Sequence, residues 1–114
     1  MVTPTAGALV LVPFPFSDLT RSKLRPAICL ADAGRDDWIL CQLTSKPYGD
    51  SRAVLLHDPD FVSGGLRVSS FARPGKLFTA SRTLMVAAAG QLSDPALRRV
   101  VDAVVAVLRP GSAP

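Results

Sequence analysis

Hydrophobic positions along the chain fall into short runs separated by proline, glycine and charge. Gly7-Ala8-Leu9-Val10-Leu11-Val12-Pro13 is apolar and β-branched, and it predicts a strand that stops where Pro13 and Pro15 remove ladder donors. Ser17 to Leu24 is polar and basic and has loop composition. Pro26-Ala27-Ile28-Cys29-Leu30-Ala31 is a continuous apolar run, the signature of a strand buried on both faces. Gly34 to Asp37 predicts a turn, and Trp38 to Thr44 a third strand that pairs with the second as a hairpin. Lys46 to Asp50 reads as a loop and Ala53 to Leu56 as a fourth strand. Asp58-Pro59-Asp60-Phe61 and Ser63-Gly64-Gly65 carry turn chemistry. Leu66 to Phe71 alternates apolar and polar, as a half-exposed strand does, and Arg73-Pro74-Gly75 breaks it. Thr83 to Ala89 fits a strand or a helix on pattern alone. Its neighbours favour a strand, ended by Gly90.

The last element is a helix. Ser93 is an N-cap, Asp94 suits the positive helix end, and Pro95 is tolerated in the first turn. Leu97, Val100, Val101, Val104, Val105 and Leu108 follow as one apolar stripe, and Pro110-Gly111 ends it. Valines are mediocre helix formers, so the helix depends on packing against the sheet. Five or six short strands and one helix predict a compact, strongly curved sheet, a small barrel with a C-terminal helix. The expected organisation is a single domain over residues 1–114, with a strand core over about 6–90, the helix over about 93–109 and a tail over 110–114.

Composition narrows the picture. The 114 residues suit one domain, and 48% apolar content excludes a disordered segment. No apolar run reaches the ~20 residues of a membrane span. The N-terminus lacks the pattern of a signal peptide, so a cytoplasmic location is expected. Cys29 and Cys41 sit in apolar runs and read as small core residues rather than a disulfide. With the single histidine they cannot make a four-ligand zinc site, and no metal or cofactor is expected.

Candidate chemistry lies with the arginines. Arg25 precedes a buried strand and is followed by Pro26, which places a guanidinium at the mouth of the sheet on an extended backbone. If the second and third strands form a hairpin, Thr44 and Ser45 end near it. Arg73 also stands before a proline. Arg21, Lys23, Lys46, Arg52, Arg67 and Lys76 sit in or beside loops. Cations on loop ends with hydroxyls between them can bind phosphates. The plainer reading is that most of the 13 basic residues are solvated and that a net charge of +4 favours nucleic acid only slightly. Ser63-Gly64-Gly65 lacks the Lys-Ser/Thr of a phosphate loop, and no Gly-x-Ser-x-Gly elbow is present. His57, beside Asp58, reads as an exposed loop residue.

Val12 to Asp18, Lys23 to Ile28 and Ile39 to Pro47 are similar to the PemK/MazF family of toxins from toxin–antitoxin modules. Asp60-Phe61, Gly64-Gly65-Leu66, Ser70 to Pro74, Lys76 to Thr79 and the helix after Gly90-Gln91-Leu92 continue the likeness, which spans about residues 6–108 in order. It implies a mainly β, SH3-like barrel (the MazF/CcdB/Kid toxin fold) with a C-terminal helix. It implies a homodimeric, metal-independent endoribonuclease that cuts single-stranded mRNA and is neutralised by an acidic antitoxin. The family's catalytic arginine maps to Arg25 and its threonine or serine to Thr44. Cleavage would use the RNA 2′-hydroxyl, leaving a 2′,3′-cyclic phosphate and a 5′-hydroxyl. Arg21, Lys23, Ser45, Arg52, Arg67, Ser69, Ser70 and Arg73 are candidate RNA contacts, and Phe14 or Phe16 could stack a base or simply pack the barrel edge. Trp38 reads as a core or antitoxin-facing anchor. Some relatives have an acid or amide where this chain has Ser69 and Ser70, and others a glutamate where it has Thr20. Neither hydroxyl is a general base near neutral pH, so the base stays open. Two alternatives remain: a gyrase-poison-like protein binder of the same fold, which lacks support because Trp38 is the sole tryptophan, and a non-catalytic RNA-binding module.

Overall fold

The computed structural model describes residues 2–15, 22–109 and 111. Within them the chain runs β1 (Ala8–Pro15), β2 (Ser22–Gly34), β3 (Asp37–Thr44), β4 (Val54–Leu56), β5 (Phe61–Gly64), β6 (Ser70–Ser81), β7 (Ala87–Leu92) and α1 (Asp94–Leu108), with 3-10 turns at Asp58–Asp60 and Arg82–Leu84. The strands form one curled antiparallel half-barrel sheet in the order β4-β6-β3-β2-β1-β7-β5. Among the described residues no helix is long and apolar enough to cross a membrane.

The apolar runs are continuous because the middle of the sheet is covered on both faces. Leu9, Ile28, Cys41, Leu43, Leu56 and Ala72 pack with Ala96 and Val100 of α1. Their strand neighbours Val10, Ala27, Cys29 and Leu40 point the other way and pack with Val12, Ala80 and Met85. Successive residues therefore serve opposite cores, as a period of two requires. Trp38 is half-buried against the second cluster. Both cysteines are buried, unpaired and part of these cores.

The β2–β3 hairpin forms as predicted. Gly34 pairs with Asp37 across a two-residue turn in which Arg35 and Asp36 have φ of 56° and 66°. Both central residues are left-handed, as a type I′ turn demands, and Asp32 Oδ1 accepts from the Gly34 N–H at 2.7 Å to brace it. The helix also starts where expected: Ser93 Oγ accepts from the Ala96 N–H at 3.3 Å, with Pro95 in the first turn.

Several boundaries differ from the sequence expectation. β1 continues through Pro13 to Pro15, because β7 pairs only with Ala8–Leu11 and leaves the later residues with β2 as their one partner. Proline is tolerated on such an unpaired side. Ser22–Leu24, expected in a loop, extends β2 opposite Pro13–Pro15. Phe61–Gly64, expected as turn, is a short edge strand. There Gly64 (φ 59°) meets Gly90 so closely that a Cβ would strike the Ala89 carbonyl. Gly90 accordingly lies inside β7 rather than ending a strand, and β7 begins at Ala87 after the 3-10 turn.

Leu66 to Ser69 is irregular, and the strand expected there begins only at Ser70. It then runs on past Arg73-Pro74-Gly75, which does not break it. Cys41 pairs with Leu77 and Leu43 with Ala72, so Arg73–Lys76 stands as a bulge opposite Gln42. Pro74 is fully buried and anchors that bulge. On α1, Ala96, Val100 and Val104 are buried, whereas Val105 and Leu108 of the predicted stripe are exposed at 42% and 70%.

Candidate RNA-binding cleft

Arg25 and Thr44 come together through register. Ala27 pairs with Gln42, so two residues further along each strand Arg25 and Thr44 hold the next position on the same face. Pro26 keeps the backbone before it extended, and Arg25 pairs with Val12 on its other side. Both residues are half-buried and line one cleft of about 460 Å³.

Among the described residues, four cations, Lys23, Arg25, Lys46 and Arg67, line this cleft, and no carboxylate or imidazole does. Hydroxyls of Thr44, Ser45, Tyr48 and Ser70 stand among them, over apolar walls from Leu24, Leu43, Leu66 and Val68. Uniform positive charge beside a low-dielectric wall concentrates anions. The Thr44 hydroxyl is held in place: it donates to the Lys46 carbonyl at 3.0 Å and accepts from the Lys46 N–H at 3.2 Å. This local clasp fixes the turn that leaves β3. Ser70 is buried, and its Oγ donates to the Val68 carbonyl at 3.4 Å.

A second cleft of about 450 Å³ adjoins the first and shares Tyr48 with it. Arg52, Arg73 and Lys76 line it with Asp50. Arg73 Nε donates to Asp50 Oδ2 at 3.0 Å, and Cys41 Sγ donates to the Arg73 carbonyl at 3.2 Å. The guanidinium beside it, and then the Arg52 N–H, hold the Asp50 carboxyl below its ordinary value of 3.8. Burial pushes the thiols up, Cys29 to about 11 and Cys41 to about 12, which leaves them neutral.

Of the sequence candidates, the first cleft collects Lys23, Arg25, Thr44, Ser45, Arg67 and Ser70. The second collects Arg52 and Arg73. Ser69 is exposed and lines neither cleft. Arg21, Phe16 and Thr20, and the Phe14 side chain, lie outside the described residues. His57 is half-exposed, as expected, and its Nε2 lies 3.6 Å from Asp60 Oδ2. Tyr48 lies in the Lys46–Asp50 loop of the sequence analysis without being a candidate there; its one signal in the sequence is an aromatic ring between Pro47 and Gly49, where a core residue is out of place.

The sequence matches no protein-family model and no curated protein. Solved structures do resemble the fold. An endoribonuclease from a mycobacterial species in complex with its cognate antitoxin superposes with a TM-score of 0.71 at 12% identity, over 98% of this chain and 100% of that one. A chain of the MazE–MazF complex of Deinococcus radiodurans gives 0.75 at 20% identity, over 94% and 97%. The Mycobacterium tuberculosis toxin MazF-mt6 gives 0.64 at 14% identity, over 87% and 95%. At these identities the likeness is one of architecture, and it extends from the first strand to the C-terminal helix: this chain has the fold of the MazF toxins.

Proposed function

We propose that the protein is the toxin of a toxin–antitoxin module and a metal-independent endoribonuclease acting on single-stranded mRNA. The observation that carries this reading is the placement of Arg25 and Thr44 on one face of adjacent strands, in a cleft whose described lining includes four cations. In the reaction the RNA 2′-oxygen attacks the adjacent phosphorus and the bond to the 5′-oxygen breaks. The 2′-hydroxyl loses a proton, the leaving oxygen gains one, and the products are a 2′,3′-cyclic phosphate and a 5′-hydroxyl. Charge builds on the phosphorane oxygens. Arg25 offers a planar fork to those oxygens. Thr44 turns its proton from the Lys46 carbonyl to a phosphate oxygen while the Lys46 N–H keeps the hydroxyl in place. Lys23, Lys46 and Arg67 hold flanking phosphates, and Ser45 and Ser70 stand beside them.

The working form is a homodimer restrained by an acidic antitoxin. The exposed Leu108 and the apolar groove of about 210 Å³ that it shares with Leu30, Ile39, Leu77 and Val101 offer apolar surface to a second copy. Structural neighbours solved with an antitoxin support the regulatory partner.

The test is cleavage of a long single-stranded transcript in EDTA. The expected result is discrete cuts with cyclic-phosphate ends, and a loss of roughly 100- to 1,000-fold in Arg25→Ala with the fold intact. Normal cutting by that variant overturns the site assignment. Intact RNA that nevertheless binds would favour the non-catalytic reading, for which the lack of a carboxylate or imidazole among the described residues of the cleft lining is the supporting observation.

A further inference from the structure

Tyr48 stands at the junction of the two clefts and is 81% exposed. Its φ of 52° lies in the left-handed region that residues other than glycine avoid. An aromatic ring held outside the core, on an unfavourable backbone, buries little apolar surface in return. Yet the loop beneath it is tightly built. The Asp50 N–H donates to the Pro47 carbonyl at 3.0 Å, and the Ala53 N–H to the Asp50 carbonyl at 3.2 Å. The Asp50 carboxylate takes the Arg52 N–H on one oxygen and Arg73 Nε on the other, both at 3.0 Å. The ring is therefore presented on a braced turn.

Beyond it, the second cleft holds three cations against one carboxylate, and that carboxylate is engaged by Arg73. Among the described residues neither Arg52 nor Lys76 is in an ion pair. The order across the surface is cations, an aromatic ring, then cations again. Single-stranded nucleic acid matches that order, because its phosphates alternate with faces that stack.

We propose that Tyr48 is a base-stacking platform, and that the strand leaving the Arg25 cleft crosses this ring and sets its next phosphates against Arg52 and Lys76. This deepens the RNA reading above and rests on it. Phosphate contacts supply the affinity here, and the single stacked base positions the strand between the clefts.

Binding of a short 2′-fluoro RNA, which lacks the attacking hydroxyl, separates this from cleavage. Fluorescence anisotropy is expected to show Tyr48→Ala weakening binding by roughly 5- to 150-fold and Tyr48→Phe by no more than about twofold. An abasic strand of equal length is expected to bind wild type and Tyr48→Ala alike. Arg52→Ala and Lys76→Ala are each expected to lower the salt slope by about 0.7. Unchanged binding by Tyr48→Ala overturns the proposal, and so does an equal loss on the abasic strand, which would make the effect one of loop structure. A wild-type protein that binds in this Tyr48-dependent way but leaves natural RNA intact upholds the platform and overturns the nuclease reading. Normal cutting with no dependence on Tyr48 does the reverse.

Discussion

Asp50 and Arg73 lie 23 residues apart in the chain, and their side chains meet at 3.0 Å. One belongs to the turn after β3, the other to the bulge of β6. Their contact ties the Tyr48 turn to the sheet. It also takes Arg73, a sequence candidate for RNA contact, into a structural pairing at the rim of the second cleft.

Asp50→Asn is expected to loosen that turn without unfolding the protein. The pair is partly exposed, with side-chain accessibilities of 16% and 25%, so its loss is worth about 1 kcal/mol or less. Hydrogen exchange at the Arg52 and Ala53 amides, which bond to Asp50, is expected to quicken. Acid does the same in wild type. The folded carboxyl lies below 3.8, so its contribution is complete above pH 3.8 and disappears as the pH falls through the lower folded value. Unchanged exchange in the variant would show that backbone bonds alone hold the turn.

Thr44→Val keeps a β-branched residue in β3 but removes the hydroxyl that clasps Lys46. Cleavage is expected to fall by roughly 100-fold or more, and stability by about 1 kcal/mol. Thr44→Ser is expected to restore most of both. A stability loss with unimpaired cutting would assign the hydroxyl to the turn alone. Single-turnover rates alongside thermal melts separate the two.

The buried thiols predict weakness in alkali. Burial raises Cys29 to about 11 and Cys41 to about 12, from an ordinary 9.0 that the unfolded chain keeps. With folded values above unfolded ones, the stabilisation is full below pH 9 and is lost as the pH rises through 11 and 12. The melting temperature of wild type is expected to fall over this range more steeply than that of a Cys29→Ala/Cys41→Ala variant, measured against each protein's own neutral value. At neutral pH neither thiol is expected to react with iodoacetamide in the folded protein. Parallel curves for the two proteins would show that other groups govern alkaline unfolding.

Local chemistry made much of this molecule legible before any fold was known. The turn at Gly34–Asp37, the Ser93 cap and the double-sided burial of β2 depend on neighbouring residues and a fixed period, and each is legible in a few consecutive side chains, although the I′ type of the turn is not. The hairpin brings Arg25 and Thr44 to the same end of the sheet, but two register shifts, between Asp32 and Gly34 and between Cys29 and Ala31, decide which residues of the two strands face each other there. Elsewhere the outcome hung on remote partners. Pro13 and Pro15 sit in a strand because β7 stops at Leu11, a fact about residues more than seventy positions away. The bulge at Arg73–Lys76 exists because β3 offers one residue where β6 has four. Val105 and Leu108 follow the helical period yet stay exposed, Leu108 at the edge of a groove it shares with the sheet residues Leu30, Ile39 and Leu77. Whether a cation lines a cleft, and which ring stands between two clefts, is settled by strands crossing in space. Periodicity encodes the face a residue takes on its own element; only packing decides what that face meets.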